Sequence, residues 1–198
     1  MFNSNGEINR SEKASPWNSL EATKLLVGTL TPIAVFLLGL QVQSYTSELR
    51  QQEFLNQELI RQRIAVFSNV NDKINDIYCY FTFVGNWKDF QPADIIQRQR
   101  EVDKEFFSNA PLFGDNLVRD YEHFREAYFL TFQGAGRDFS LRMDRSEFES
   151  MWRHVEGYTV TWLDALAPSN EVSDKASLRK MYVNLMESFA RSFKGDGD

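Results

Sequence analysis

Cysteine and histidine are scarce in this 198-residue sequence, which has one cysteine, Cys79, and two histidines. A single cysteine cannot form an intramolecular disulfide, and such usage fits a reducing compartment. Zinc sites need several Cys or His ligands at close spacing, and the sequence has no such group. We therefore expect no metal and no cofactor. We interpret Cys79, which lies between Tyr78 and Tyr80, as a small buried apolar side chain.

Signatures of catalysis are also missing. The sequence has no G-x-x-x-x-G-K-[ST], no G-x-S-x-G and no H-E-x-x-H. His123 and Glu126 could both reach a metal from one helix face, although such pairs are more often solvated. The glycine turn at residues 134–138 could hold a phosphate beside Arg137, although such turns usually only end a helix. We therefore predict that the protein is not an enzyme.

Basic residues are outnumbered: 22 Lys and Arg stand against 28 Asp and Glu, a formal net charge of −6. The first 24 residues are balanced in charge, so the negative excess falls on the rest of the chain. Sequence-independent nucleic-acid binding depends on neutralising phosphates, and we expect no nucleic-acid partner. Charge alone would not hold this protein on anionic lipid either.

A long charge-free run stands out at residues 25–42, which read LLVGTLTPIAVFLLGLQV. As a helix these residues would extend roughly 27 Å, close to the ~30 Å hydrocarbon thickness of a bilayer. We predict a single transmembrane helix over residues 18–42, with a cleaved signal peptide and a soluble core helix as the alternatives. The residues expected to contact lipid are Leu25, Leu26, Val27, Leu30, Pro32, Ile33, Val35, Phe36, Leu37, Leu38 and Leu40.

Pro32 lies inside this run and cannot donate a hydrogen bond to the carbonyl of Gly28. We expect the hydroxyl of Thr29 or Thr31 to satisfy the freed group. The flanking charges do not settle orientation, because three basic residues lie on each side: Arg10, Lys13 and Lys24 before the run, and Arg50, Arg61 and Arg63 after it. The single free cysteine favours a cytoplasmic position for the large domain.

Glycine and proline are absent from residues 40–84, so the membrane helix can continue out of the bilayer. Residues 43–58 are largely polar and are interpreted as a helical stalk. From Leu59 onward, apolar residues recur at steps of three and four, which predicts one buried helix face. That stripe consists of Leu59, Ile60, Ile64, Phe67, Val70, Ile74, Ile77, Phe81 and Val84.

Four more helices are predicted by periodicity and end signals. They begin near Pro92 and at residue 115, cover residues 144–167, and begin again after a cap at Ser173. Short loops favour antiparallel neighbours. The predicted fold is all-α, a transmembrane helix continuing into a bundle of four or five helices over residues 59–194. We expect residues 1–17 to form a flexible N-terminus and residues 195–198 to form a frayed tail.

The most distinctive stretch is residues 59–88 together with residues 92–104, where polar side chains interleave with an aromatic-rich segment that includes NDIYCYFTFVGNWKD at residues 75–89. Two interpretations fit this pattern. The stretch is either a core segment whose charged residues are solvated, or an interaction surface for a partner. The candidate surface residues are Asn75, Asp76, Tyr78, Trp87, Lys88, Arg100 and Asp103. Together with the span and stalk, this stretch resembles uncharacterised bacterial single-span membrane proteins that have an N-terminal anchor and a helical cytosolic domain. The resemblance implies an inner-membrane bacterial protein and assigns no residue a role.

These features predict a membrane-anchored interaction or signal-relay module whose partners are the lipid bilayer and another protein or a second copy. The alternative is a membrane effector of an antiphage defence system, because a small protein with one kinked span could perturb the inner membrane. An enzyme held at the membrane is a third hypothesis, which a shifted carboxylate or histidine pKa in a cleft would favour.

Overall fold

The computed structural model describes residues 19–131, 134 and 139–194, with side chains from residue 23 onward. The predicted flexible N-terminus and frayed tail lie outside the described residues. Within them the fold is all-α, as predicted, with one small β-hairpin. Contacts divide the chain into two units, the first ending at Glu53 and the second beginning at Phe54.

Helix α1, Ser19–Thr82, is 64 residues long and contains Pro32. Its continuation beyond the apolar segment follows from the absence of glycine and proline between residues 40 and 84. At its end Phe83 adopts a left-handed φ of +57°. This conformation lets the Val84 N–H donate to the Cys79 carbonyl at 3.0 Å, which closes the last turn. The Phe83 ring packs edge-on against Trp87 at 5.2 Å, and that contact holds the strained residue in place.

Helix α2, Pro92–Ser108, begins at the predicted proline. The Asp94 carboxylate accepts the Gln91 N–H at 2.8 Å, which satisfies a backbone donor at the helix entrance. Helix α3, Asp115–Tyr128, follows a 3₁₀ turn at Ala110–Leu112.

A two-stranded antiparallel hairpin follows α3, and the sequence did not predict it. Strand β1, Phe129–Thr131, pairs with β2, Phe139–Leu141, so that Phe129 lies opposite Leu141. In the sequence the helical apolar spacing of the third predicted helix continues through Tyr128 to Phe132, but α3 ends at Tyr128, where β1 begins. The predicted turn at residues 134–138 lies mostly outside the described residues.

The predicted helix over residues 144–167 is two separate elements. Helix α4, Arg145–Trp152, is eight residues long, and a 3₁₀ helix covers Val160–Ala165. Gly157 has a φ of +86°, which no helix accommodates. The β-branched run at residues 159–161 also disfavours helix.

Helix α5, Lys175–Ser192, packs along α3. Its cap is Asp174, whose carboxylate accepts the Ser177 N–H at 2.9 Å, rather than the predicted Ser173. The predicted cap therefore lies one residue before the observed cap.

The core of the second unit is built largely from aromatic side chains. Trp152, Tyr80, Tyr121, Tyr128, Phe81, Phe106, Phe124, Phe129, Phe148 and Phe189 are almost completely buried. The predicted α1 stripe is buried at Val70, Ile74, Ile77 and Phe81. Ile64 and Val84 are instead 45% and 47% exposed.

Candidate functional site

The apolar segment of α1 is the most distinctive surface in the described part of the chain. Every residue from 25 to 42 is exposed, and none is charged. The helix is therefore long and apolar enough to cross a membrane, as predicted. These residues take no part in the protein core, so the alternative of a soluble core helix is not supported.

From the sequence we expected Thr29 or Thr31 to bond the Gly28 carbonyl, which Pro32 leaves without its helical donor. That prediction is wrong, because both hydroxyls bond other carbonyls. The Thr29 hydroxyl donates to the Leu25 carbonyl at 2.8 Å, and the Thr31 hydroxyl donates to the Val27 carbonyl at 2.6 Å. Each hydroxyl reaches back one turn, the usual geometry for threonine in a helix. Both polar groups are thereby satisfied within the helix, which lowers the cost of placing them in lipid.

The seven residues predicted as an interaction surface do not share one face. Trp87 is buried, and Lys88 lies over its ring at 5.3 Å. Asp76 pairs with Arg98 at 3.1 Å, which joins α1 to α2. Arg100 lies over the ring of Phe139 at 5.6 Å.

Tyr78 and Asn75 belong to a contact between α1 and α5. The ring of Tyr78 stacks on that of Tyr182 with centroids 4.2 Å apart. The Tyr182 hydroxyl donates to Asn75 Oδ1 at 3.3 Å. Both predicted residues therefore act in helix packing, and Asn75 remains exposed.

Asp103 lies in a polar cluster between α2 and α3. Its Oδ1 accepts the Tyr121 hydroxyl at 2.6 Å and Gln99 Nε2 at 3.0 Å. Burial raises the pKa of Asp103, although its bonds with Tyr121 and Gln99 and the charge of Arg125 act in the opposite direction. The sequence marked Asp103 as a surface candidate, but it did not indicate that Tyr121, which lies 18 residues further along, would be its partner.

A groove of about 220 Å³ lies between the starts of α4 and α5. Its wall combines apolar and charged side chains: Phe81, Met143, Leu178, Arg142, Asp144, Glu147, Asp174 and Lys175. Lys175 pairs with Glu147, and Arg142 Nη1 bonds Glu171 Oε2 at 3.0 Å. A shallower hollow of about 390 Å³ shares Arg142 and is lined by His123, Glu126, Ser177 and Met181.

The helix starts beside this groove are already capped. Asp144 accepts the Glu147 N–H at 2.8 Å, and Asp174 caps α5 in the same way. Bonds from the Ser146 hydroxyl and then the Glu147 N–H lower the pKa of Asp144. An anion would therefore compete with two resident carboxylates for these N–H groups, and the groove is a poor anion site.

His123 and Glu126 are exposed side chains on the shallower hollow. Among the described residues, no three His, Cys, Asp or Glu side chains are grouped so that they could hold a metal ion. Cys79 is buried, as predicted, and burial is the main cause that raises the pKa of its thiol. A protonated buried thiol is a poor nucleophile.

Arg63 is a buried residue that sequence reasoning missed. It is only 5% exposed, and its guanidinium donates from Nε to the Leu112 carbonyl at 2.6 Å. Nη1 donates to the Ser192 carbonyl at 2.8 Å. The acceptors lie 49 and 129 residues away, so no local pattern could indicate them.

Comparison of this chain with protein-family models, with curated proteins and with solved structures found no match.

Proposed function

We propose that this chain is a single-pass protein of a bacterial inner membrane and that its helical second unit, in the cytoplasm, is an interaction or signal-relay module. The observation that supports this most is the segment at residues 25–42, in which no residue is charged and all are exposed. In water such a surface would drive aggregation, whereas in a bilayer its burial is favourable.

Fractionation of bacterial cells that express the full chain tests the anchor. We expect the protein to stay in membranes washed with alkaline carbonate. The double variant Ile33→Arg/Leu37→Arg should move to the soluble or aggregated fraction, because each arginine at a span centre costs about 2.5–3.5 kcal/mol.

The matched control, Ser44→Arg/Ser47→Arg, adds the same charges to the polar stalk and should remain in the membrane. Wild type in the supernatant would refute the anchor, and a mature N-terminus near residue 44 would show a signal peptide instead. A reporter fused to the C-terminus determines which side of the membrane the second unit occupies.

The groove and the shallower hollow share Arg142, and together, as the Arg142 surface, they support binding as the role of the second unit. This surface has more negative than positive side chains: the four carboxylates of Asp144, Glu147, Asp174 and Glu126 and the two cations Arg142 and Lys175. Apolar side chains line it as well. A partner segment with basic and apolar side chains suits this surface by charge. We infer that the unit acts by docking such a segment, from another protein or a second copy, and not by catalysis.

Site-specific photo-crosslinking in native membranes tests this role. A benzophenone amino acid at His123 or Ser177 should give one adduct of defined mass. The same probe at Arg119 or Glu187, which are exposed positions on the same helices outside the Arg142 surface, should not. If all four positions behave alike, the Arg142 surface is not the docking site. If expression instead collapses the membrane potential in a span-dependent way, the antiphage-effector alternative is correct.

A further inference from the structure

Gln41 is the polar side chain of residues 25–42 that its own helix leaves without a hydrogen bond. The other two polar side chains of this segment, Thr29 and Thr31, bond carbonyls of the preceding turn. Among the described residues none bonds the Gln41 amide, because the Ser44 hydroxyl reaches only the Gln41 backbone carbonyl, at 2.9 Å. A glutamine amide has two donors and an oxygen with two lone pairs, so its whole bonding capacity is unused.

In the proposed membrane anchor, on which this inference rests, the Gln41 amide lies in hydrocarbon. The next charged residue, Glu48, follows about 10 Å further along the helix. Side chains of a helix lean toward its N-terminus, so the Gln41 side chain leans back along the span and away from the nearer membrane surface. An amide without a bonding partner is costly in hydrocarbon, and a polar group on a neighbouring helix removes that cost.

The side of α1 around Gln41 is otherwise apolar or aromatic and has the spacing of a helix–helix contact. Ala34, Leu38 and Tyr45 lie within about 60° of Gln41 around the helix, at steps of four and three. Leu38 and Tyr45 are 60% and 65% exposed, so the described part of the chain does not cover them. We call Ala34, Leu38, Gln41 and Tyr45 the Gln41 face.

A second copy of this chain is the occupant that suits the Gln41 face. An amide both donates and accepts, so two Gln41 side chains that meet across a two-fold axis satisfy each other. An entirely apolar helix would leave the amide unpaired. The anchor holds every copy in one orientation and at one depth, so the second glutamine of a parallel pair is already at the matching height.

The charged residues near the segment are compatible with this contact. Lys24, Arg50 and Glu53 lie at least about 100° away from the Gln41 side chain around the helix. Glu48 is the exception, because it shares the face one heptad further along. Glu48 is exposed and lies in the polar stalk, where water and salt screen the repulsion between two carboxylates. The amides instead meet where no water competes for their bonds, so the contact is centred on Gln41 and weakens toward Glu48.

We propose that this protein forms a parallel dimer in the membrane through the Gln41 face, with the two Gln41 amides hydrogen-bonded to each other. The contact belongs to the first unit and needs no residue of the Arg142 surface. It brings two copies of the second unit together, which raises the effective concentration of each copy for the other and for a shared partner.

Resonance energy transfer in phosphatidylcholine vesicles tests the dimer. Full-length copies fused at the C-terminus to a donor or an acceptor fluorescent protein are reconstituted together, and transfer should rise with the protein-to-lipid ratio. Gln41→Leu should raise the dissociation constant by roughly three- to thirtyfold, the factor expected for a hydrogen bond between membrane helices. Gln41→Asn keeps the amide and should retain most of the association.

Gln43→Leu is the matched control for Gln41→Leu. Gln43 lies just past the apolar run and about 160° away around the helix, so its loss should leave the dimer unchanged. Glu48→Gln removes the like charges from the contact and should tighten the dimer. Equal weakening by Gln41→Leu and Gln43→Leu, or a weaker dimer with Glu48→Gln, would overturn the proposal.

Disulfide cross-linking in membranes of expressing cells identifies the occupant. With copper phenanthroline, Tyr45→Cys should give a homodimer and Gln43→Cys should not. Wild type is the blank, because its single cysteine, Cys79, is buried. An adduct of another mass at position 45 would mean that a different membrane protein covers the Gln41 face, and the second copy would be refuted.

Flotation of the same vesicles separates failure of the dimer from failure of the anchor. Protein that floats with the vesicles but shows no energy transfer at any protein-to-lipid ratio refutes the dimer and leaves the anchor intact. Protein that does not float refutes the anchor and the dimer together.

Discussion

Arg63 shows how one side chain joins distant parts of the second unit. Its guanidinium donates to the Leu112 carbonyl, at the end of a 3₁₀ turn, and to the Ser192 carbonyl, at the end of α5. The last carbonyls of a helix lack intrahelical donors and carry partial negative charge, so a buried cation there is favourable. Arg63 thus fastens α1 to the C-terminal end of α5.

Arg63→Met should lower the free energy of unfolding by about 2–4 kcal/mol. Methionine keeps the apolar stem but leaves two carbonyls without this donor, and each unpaired buried group costs about 1–3 kcal/mol. Chemical denaturation of the full chain in detergent measures the loss.

Arg61→Met is the matched control for this substitution. Arg61 is exposed and pairs with Glu58 at 3.4 Å, so its loss should cost less than about 0.5 kcal/mol. Equal effects of the two substitutions would show that the bonds of Arg63 contribute little.

Buried polar residues are where sequence reasoning is weakest. From the sequence, Arg63 counts only as a charge flanking the span, because nothing local distinguishes it from Arg61. Asp103 was marked by its place in a polar–aromatic stretch, but its partners Tyr121 and Arg125 lie on another helix. Such networks depend on which helices become neighbours, and apolar periodicity does not determine that.

At the scale of elements, the helices with regular apolar spacing were predicted well. α1, α2 and α3 have their buried residues largely at steps of three and four, which reflects 3.6 residues per turn. The hairpin was missed because Phe129–Thr131 continues the apolar character of α3. Its partner strand begins eight residues after β1 ends, and pairing over such a gap leaves no periodic signal in either segment.

The start of α5 provides a test of an individual element. Asp174→Ala should destabilise the protein by about 1 kcal/mol, because the helix loses the carboxylate that accepts the Ser177 N–H. Ser173→Ala should change stability by less than about 0.3 kcal/mol, since the structure shows Asp174 as the cap and Ser173 only as its neighbour.

Urea denaturation of the two alanine variants shows which residue caps α5: Asp174, as in the structure, or Ser173, as predicted from the sequence. A larger loss for Ser173→Ala would mean that α5 begins one residue earlier than the structure places it.

At the scale of the whole molecule, the two units differ in what they bury. Side chains from residue 23 to residue 57 are exposed apart from Thr46, and the core residues of the described chain begin at Arg63 and Val66. Composition predicted this division only in outline, because a charge-free run and an aromatic-rich remainder indicate an anchor and a packed domain. Where packing begins depends on tertiary contacts that composition does not contain.

The second unit should therefore fold without the first. A fragment that begins at Phe54 keeps all of the described core, so we expect a soluble protein with helical circular dichroism and one cooperative thermal transition. Its midpoint should lie within a few degrees of that of the full chain in detergent, because a change of 1 kcal/mol moves Tm by about 2–8 °C in domains of this size range. A fragment that starts at residue 71 is the informative control, since it loses Arg63, Val66 and Val70 and should not fold. If the longer fragment is also unfolded, then residues before Phe54 contribute to the fold, and the first unit is more than an anchor.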